Sequence, residues 1–192
     1  MITVLALAAL GYLVGSVPTG VLAGRLRGVD PREVGSGRIG AANTYRALGL
    51  AGAALVALGD LSKGLVMALL ALHFAGGALA VGVVGVATVM GQVWSIFLLA
   101  RAGRGVATSA GVALAFAPLA AAAAAVVLFG LIKLTRITSL ASLSSAVVLV
   151  GLVALTTRDP GWTLLAAVLC VIVWLTHLDN LRRLLAGTER RV

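Results

Sequence analysis

Three segments of the 192-residue chain combine cations with small polar residues, a combination that suits the binding of phosphate groups. The first segment, residues 30–46, contains Ser36, Gly37, Asn43 and Arg46. Glycines expose backbone N–H groups, and together with these polar and basic side chains they would form an anion cradle. The alternative is a flexible loop whose arginines contact lipid.

The second segment surrounds Arg104, which stands between Gly103 and Gly105. A short apolar helix is predicted to begin directly after this turn and to include Thr108. The N–H groups at a helix N-terminus, with a cation beside them, form a favourable phosphate site. The alternative is a basic turn that serves only membrane topology.

The third segment contains His177 and Asn180, where the last apolar stretch ends. Residues three apart share a helix face, so the two side chains are expected to point together. The alternative for the histidine is a contact with lipid headgroups.

Ser142 lies in a serine-rich stretch, where its hydroxyl can bond back to its own helix. The sequence holds no ligand cluster for a metal, and neither a metal nor a cofactor is expected.

Asp60 and Lys63 stand three residues apart in an apolar segment. Charges inside a membrane usually pair and face the protein interior. The pair is therefore predicted either to stabilise the fold or to support the site. Asp60 also follows a formal G-x-G-x-x-G pattern at residues 35–40, but no strand precedes that pattern, which excludes a dinucleotide site.

The composition limits the class of protein. Hydrophobic residues make up 61% of the chain, charged residues 11%, and the mean hydropathy is +1.13. These values exclude an ordinary soluble enzyme, a disordered chain and a disulfide scaffold. The net charge is +9, and the basic residues lie between apolar runs. This placement indicates that they set the membrane topology and contact anionic lipid, rather than bind nucleic acid. We predict one all-α integral membrane domain over residues 1–192.

The elements that must position these residues are apolar helices. Basic residues concentrate on the cytoplasmic side of membrane proteins, and this rule requires a chain break at Pro118. The result is seven transmembrane helices with the N-terminus outside and the C-terminus inside. One of them is a half-span too short to cross unaided. The predicted spans are 2–24, 50–74, 78–99, 105–116, 118–131, 140–155 and 162–176.

Four motifs follow one another in order along the chain. They are Gly15-Ser16-Val17-Pro18-Thr19-Gly20, Gly35-Ser36-Gly37-x-Ile39-Gly40-Ala41-x-Asn43-x-x-Arg46, Gly105-Val106-Ala107-Thr108 and His177-x-x-Asn180-Leu181-x-Arg183-Leu184-x-x-Gly187-x-Glu189. Over nearly its whole length the chain resembles the PlsY-type bacterial acyl-phosphate:glycerol-3-phosphate acyltransferases.

This resemblance implies transfer of an acyl group from acyl phosphate to the 1-hydroxyl of sn-glycerol 3-phosphate, at the cytoplasmic face of the bacterial inner membrane. We expect direct transfer without an acyl-enzyme, because an acyl phosphate is already activated. Besides the two substrates, membrane lipids and the enzyme that supplies acyl phosphate are candidate partners, and nucleic acid is not. The implied catalytic residues are His177, Asn180 and Arg104. The implied substrate-binding residues are Ser36, Gly37, Asn43, Arg46, Gly103, Gly105 and Thr108, and we also expect Ser142 to contact substrate.

The chain departs from the pattern of this family at several positions. Arg38 stands where the family has Asn, Gln92 where it typically has His, and the family's Lys-Gly-Gly-Lys-Gly loop is here residues 101–105, Arg-Ala-Gly-Arg-Gly. Arginine keeps the charge of lysine but not its shape. A non-catalytic lipid- or anion-binding relative is therefore an alternative. A small transporter is disfavoured because the chain shows no internal repeat.

Overall fold

The computed structural model describes the backbone of residues 1–192 and every side chain except those at positions 100 and 101, so the Arg101 side chain lies outside the described residues. The chain is helical, as predicted. Its helices are α1 (Ile2–Ser16), α2 (Thr19–Arg25), α3 (Ala41–Phe74), α4 (Gly77–Val93), α5 (Val106–Phe116), α6 (Pro118–Thr135), α7 (Thr138–Thr157), α8 (Pro160–Thr176) and α9 (Leu178–Leu185). A 3-10 turn lies at Pro31–Glu33, and strands β1 (Trp94–Ser95) and β2 (Ala100–Arg101) pair antiparallel.

Several helices are suited to a membrane. Within the described chain, four helical segments are long and apolar enough to cross one: Ile2–Arg25, α3, α6 and α7. The pair α8 and α9, bent by 64°, makes a fifth if it counts as one span. Helices α4 and α5 are apolar but shorter, with 17 and 11 residues. Large apolar side chains such as Leu119 and Leu134 are exposed, as expected where lipid replaces water.

The structure divides the predicted span 2–24 into α1 and α2 at Val17 and Pro18, corrects two predicted boundaries and confirms one predicted break. Helix α4 ends at Val93 rather than at residue 99, because the next eight residues form the strand pair and its connecting turn. Helix α3 begins at Ala41 rather than at residue 50, with non-helical backbone at Gly49 (φ 70°). Hydropathy missed this start because the first turns of α3 are polar. The predicted break before Pro118 is confirmed.

Residues 1–112 form one compact unit. In this unit α1 packs along α4, and α3 packs on both. Gly15 permits the close approach of α1, since a Cβ there would overlap the carbonyl group of Thr88. Gly64 likewise permits the close approach of α3, since a Cβ there would overlap the carbonyl group of Thr108. Glycines thus set the helix spacing, as expected for helices that pack in lipid.

Residues 113–192 form a second compact unit, in which α7 packs between α6 and α8. Small side chains from the end of α5, the break before Pro118 and α6 fill its centre together with residues of α7 and α8. The buried cluster comprises Ala113, Ala117, Ala120, Ala121, Ala124, Leu149, Val153 and Ala166. The backbone N–H of Val192 donates to the carbonyl of Arg136 (2.9 Å), which ties the C-terminus to the α6–α7 connection. One membrane domain over residues 1–192 stays a prediction.

Candidate active site

The loop before α3 is held by the side chain of Asn43, which is buried in the first turn of that helix. Its Nδ2 donates to the carbonyl oxygens of Pro31 (2.7 Å), Val34 (3.0 Å) and Arg38 (2.8 Å). Its Oδ1 accepts from the backbone N–H of Ser36 (2.9 Å). Four bonds to the backbone fix the curvature of the predicted anion cradle, so Asn43 acts on the shape of the loop.

Glycine is required at the tip of this loop. Gly35 and Gly37 have φ values of +58° and +69°, a region that side chains with a Cβ rarely adopt. A Cβ on Gly35 would also meet the Asn43 amide and lie 3.2 Å from Cδ of Arg46. The loop glycines therefore bring the backbone next to the Arg46 side chain, whose Nη1 lies 3.4 Å from the carbonyl oxygen of Ala42.

Acidic and basic side chains pair at the start of the loop. Asp30 accepts two side-chain bonds from Nε of Arg32 (both 3.0 Å) and one from its Nη2 (2.6 Å), and also accepts the Arg32 backbone N–H. These bonds lower the pKa of Asp30 below its ordinary value. Arg32 is exposed and Asp30 is half-buried, and their pairing occupies the first carboxylate of the loop.

The turn that carries Arg104 is bonded to the same loop. The N–H of Ile39 donates to the carbonyl oxygen of Ala102 (3.2 Å), and Nη1 of Arg38 lies 3.5 Å from the carbonyl oxygen of Gly103. The N–H of Gly103 in turn donates to the carbonyl oxygen of Gln92 (2.9 Å). The structure thus brings the first two predicted phosphate-binding segments together.

Helix α5 begins directly after Gly105, as predicted, and Gly105 has a φ of +79°. The half-buried Arg104 precedes this glycine. Thr108 and Ser109 are buried in the first turns of α5, and among the described residues no hydrogen-bond partner meets either hydroxyl. Two hydroxyl donors and the first N–H groups of a helix suit an anion. Ser109 lies at the end of the predicted phosphate-binding segment but was not predicted as a site residue; its position next to Thr108 was the available signal.

A charged network lies beside this turn. Lys63 Nζ donates to Asp60 Oδ1 (2.8 Å), to Gln92 Oε1 (2.7 Å) and to the carbonyl oxygen of Val17 (2.6 Å). Gln92 Nε2 donates to Asp60 Oδ2 (2.8 Å), and the hydroxyl of Thr19 also donates to Asp60. The predicted pairing of Asp60 with Lys63 is confirmed, and both residues are buried.

In the second unit, His177 stands at the junction of α8 and α9. The prediction placed His177 and Asn180 on one face of a helix; the structure has His177 before the first residue of α9 and a 64° bend between α8 and α9. The Nδ1 atom of His177 lies 2.7 Å from the carbonyl oxygen of Val173. A carbonyl only accepts, so Nδ1 carries the proton, and in the neutral ring the lone pair is on Nε2. His177 is 3% exposed.

Asn180, also buried, belongs to a hydrogen-bonded group around Glu189. Its Nδ2 donates to Glu189 Oε1, which also accepts from the hydroxyl of Ser139 (3.0 Å), while Nε of Arg183 donates to Oε2 (2.8 Å). Burial alone would raise the pKa of Glu189, but the bonds from Asn180, Arg183 and Ser139 outweigh it and lower that pKa. The Asn180 Oδ1 is buried without a hydrogen-bond partner in the described part of the chain.

Ser142 lies one turn after Ser139 on α7, and its hydroxyl donates to the carbonyl oxygen of Thr138 (2.8 Å), as expected for back-bonding. The predicted site residues of the second unit are thus Ser142, His177 and Asn180. The structural partners Ser139 and Glu189 were not predicted as site residues. Glu189 appeared only as the last position of a motif.

Comparison with known proteins agrees with this architecture of apolar helices and cationic, glycine-rich turns. The family model described as glycerol-3-phosphate acyltransferase matches residues 5–187. Relatives named glycerol-3-phosphate acyltransferase include those of Geobacter sulfurreducens (42% identity over 100% of this chain and 98% of the relative) and Myxococcus xanthus (44%, 97% and 98%).

Solved structures give the same result. The crystal structure of PlsY (YgiH), an integral membrane glycerol 3-phosphate acyltransferase, in its glycerol 3-phosphate form, matches with a TM-score of 0.92 and 34% identity over 98% of this chain and 95% of that chain. Its lysophosphatidic acid form matches with a TM-score of 0.91 and 33% identity over 98% and 94%. The protein is therefore an integral membrane acyltransferase. It belongs to the glycerol-3-phosphate acyltransferase family.

Proposed function

We propose that the protein transfers the acyl group of an acyl phosphate to the 1-hydroxyl of sn-glycerol 3-phosphate. The hydroxyl oxygen forms an ester bond with the acyl carbon, and the bond between that carbon and the phosphate oxygen breaks. The products are 1-acylglycerol 3-phosphate and inorganic phosphate. The acyl group passes directly, because an acyl phosphate is already activated and needs mainly orientation and charge stabilisation.

One observation carries this proposal: the loop before α3 is hydrogen-bonded to the turn that carries Arg104, through Ile39 and Ala102. A reaction between two phosphate-bearing substrates needs more than one anion site within reach. We assign the phosphate of glycerol 3-phosphate to Ser36, Gly37 and Arg46. The donor phosphate goes to Arg104 and the N-terminal turn of α5, with Gly103, Gly105 and Thr108.

The second unit offers hydrogen-bond acceptors, which suit a hydroxyl substrate. Asn180 donates its amide N–H to Glu189 and has Oδ1 as an acceptor, and the His177 ring, whose Nδ1 faces the carbonyl oxygen of Val173, can accept at Nε2 when it is neutral. We assign these two acceptors to the attacking hydroxyl, with Ser142 as a further substrate contact. The hydroxyl proton then passes to His177 or to a phosphate oxygen of the substrate.

The charge distribution supports a topology of seven crossings, with the N-terminus outside and the C-terminus inside. Arg25 to Arg46, Arg104, Lys133 and the basic tail then all face the cytoplasm. We propose the bacterial inner membrane as the location, with the active site on the cytoplasmic side. Membrane lipids and the enzyme that produces acyl phosphate are the proposed partners.

The proposal is tested with purified protein in detergent, palmitoyl phosphate and glycerol 3-phosphate. We expect phosphate release together with 1-acylglycerol 3-phosphate. Binding without turnover would indicate the non-catalytic alternative. Mass spectrometry after mixing with palmitoyl phosphate alone should show unmodified protein. A stable acyl adduct on Ser36 or Ser142 would refute direct transfer.

A further inference from the structure

Two opposite charges are buried in the first unit and have no assigned contact with substrate. Asp60 and Lys63 share one hydrogen-bonded network with Gln92. We propose that this network holds the Arg104 turn in the geometry that binds the donor phosphate, which makes Asp60, Lys63 and Gln92 positioning residues. This inference rests on the proposed function and names a further part of the same site.

The first link from the network to the turn is direct. Gln92 is the last residue but one of α4, and its carbonyl oxygen accepts the N–H of Gly103, while the carbonyl oxygen of the next residue, Val93, accepts the N–H of Ala102 (2.9 Å each). A Cβ on Gly103 would lie 2.7 Å from Nε2 of Gln92. Gly103, the residue before Arg104, is therefore hydrogen-bonded to the backbone of Gln92 and packs closely against its side chain. Lys63 and Asp60 fix that side chain from opposite ends of its amide.

The second link passes through the break between α1 and α2. Lys63 donates to the carbonyl oxygen of Val17 in this break, and Thr19 donates to Asp60. One residue further, Gly20 of α2 packs directly on the carbonyl group of Ile39, where a Cβ would overlap it. The N–H of Ile39 donates to Ala102 in the turn. Two separate series of contacts thus connect the Asp60–Lys63 ion pair to the Arg104 turn.

Stability alone does not explain the charges. Replacing a buried ion pair by packed apolar side chains is often neutral or stabilising. A fully bonded polar network, however, specifies one arrangement of the groups it connects. Lys63 has four acceptors within hydrogen-bond distance, and both carboxylate oxygens of Asp60 are bonded. The network has the properties expected of a positioning device.

The test replaces Gln92, which carries no charge, so that no buried ion is left alone. Gln92→Met keeps the length of the side chain and removes both bonds. Gln92→His keeps one donor and one acceptor, since a neutral imidazole has one of each. Thr88→Val is the matched control, because Thr88 is buried one turn earlier on α4 and bonds only to its own helix, at the carbonyl oxygen of Val84, among the described contacts.

We expect Gln92→Met to raise the KM for palmitoyl phosphate about tenfold, the effect of one hydrogen bond lost between the Arg104 turn and the donor phosphate. The KM for glycerol 3-phosphate and the Tm in detergent should match those of Thr88→Val. Gln92→His should restore the KM for palmitoyl phosphate to within about threefold of wild type. An unchanged KM, an equal rise for both substrates, or a Gln92→His variant no better than Gln92→Met would overturn the inference.

The paired variant Asp60→Leu/Lys63→Met removes both charges together, and we expect it to fold and to show the same selective rise in the KM for palmitoyl phosphate.

Failure of the proposed function is recognised separately, because the wild-type protein would then show no turnover. The network is still tested in that case by the binding of inorganic phosphate, which Gln92→Met should weaken about tenfold. Equal phosphate affinity of Gln92→Met and wild type would then overturn the inference.

Discussion

The loop before α3 and the tail after α9 are each organised by one buried side chain, but with opposite chemistry. Asn43 is a neutral amide that donates to three backbone carbonyls and accepts one N–H. Glu189 is a carboxylate that accepts from Asn180, Arg183 and Ser139. The first binds backbone acceptors, and the second binds side-chain donors.

The difference separates the tasks proposed for the two regions. Around Asn43 the carbonyl oxygens are occupied, so the N–H groups and arginines of the loop suit a phosphate. Around Glu189 the donors are occupied, and Asn180 keeps an acceptor that suits a hydroxyl. The two organising side chains also differ in their response to pH, because Glu189 titrates and Asn43 does not.

The variant Asn43→Asp should break the first region most severely. It keeps an acceptor for the N–H of Ser36 but loses every bond donated to the loop carbonyls, and it adds a negative charge at an anion site. We expect turnover to fall roughly 100-fold or more, from the loss of two to three hydrogen bonds. Steady-state kinetics measure this effect, and turnover within a few-fold of wild type would contradict the role of Asn43.

The variant Arg46→Ala tests the cationic character of the same region. Loss of a charge-assisted phosphate contact should raise the KM for glycerol 3-phosphate or lower turnover roughly 10- to 150-fold. The control is Arg32→Ala, an exposed arginine of the same loop that pairs with Asp30, and it should change these values less than about twofold. Wild-type kinetics for Arg46→Ala would remove Arg46 from the site.

The variant Glu189→Gln tests the second region through its pH dependence. The folded-state pKa of Glu189 lies below its ordinary value of 4.5. The carboxylate therefore stabilises the fold above that value, and this stabilisation is lost as the pH falls through the folded-state pKa. We expect Glu189→Gln to be less stable by about 1–2 kcal/mol near neutral pH.

Thermal unfolding of wild type and Glu189→Gln from neutral to acid pH measures this difference in stability. The difference should shrink below pH 4.5, the ordinary pKa of a glutamate. A difference that stays constant over the whole range would show that the charge of Glu189 has no part in stability.

The smallest effect is expected for Asp179→Asn. The pair of Asp179 and Arg182 lies next to Asn180 in sequence, but the two side chains are 62% and 82% exposed and 3.7 Å apart. Exposed pairs contribute about 0–1 kcal/mol. Activity and Tm should therefore stay close to wild type, and a large loss would mean that the second region extends beyond the Glu189 group.

Much of this arrangement could be predicted from the sequence. The apolar runs located the helices, Pro118 located a break, and the glycines around Arg104 located the start of α5. The Asp60–Lys63 pair followed from spacing, since an apolar helix rarely holds an isolated charge.

The remainder depended on contacts between residues far apart in the chain. Hydropathy could not end α4 at Val93, because the strand pair that follows is also apolar. Helix periodicity could not foresee the bend at His177. The bonds of Asn43 to the loop and of Asn180 to Glu189 use chain reversals that no local pattern specifies.

The most direct test of the proposed acyl transfer is phosphate release with palmitoyl phosphate and glycerol 3-phosphate, measured for wild type, Arg104→Lys and Arg104→Ala. We predict that wild type releases phosphate in step with 1-acylglycerol 3-phosphate. Arg104→Lys should retain much of this activity because the charge remains, while Arg104→Ala should lose most of it. If Arg104→Ala matches wild type in turnover and in affinity for both substrates, the turn before α5 is not a phosphate site and the proposed mechanism is wrong.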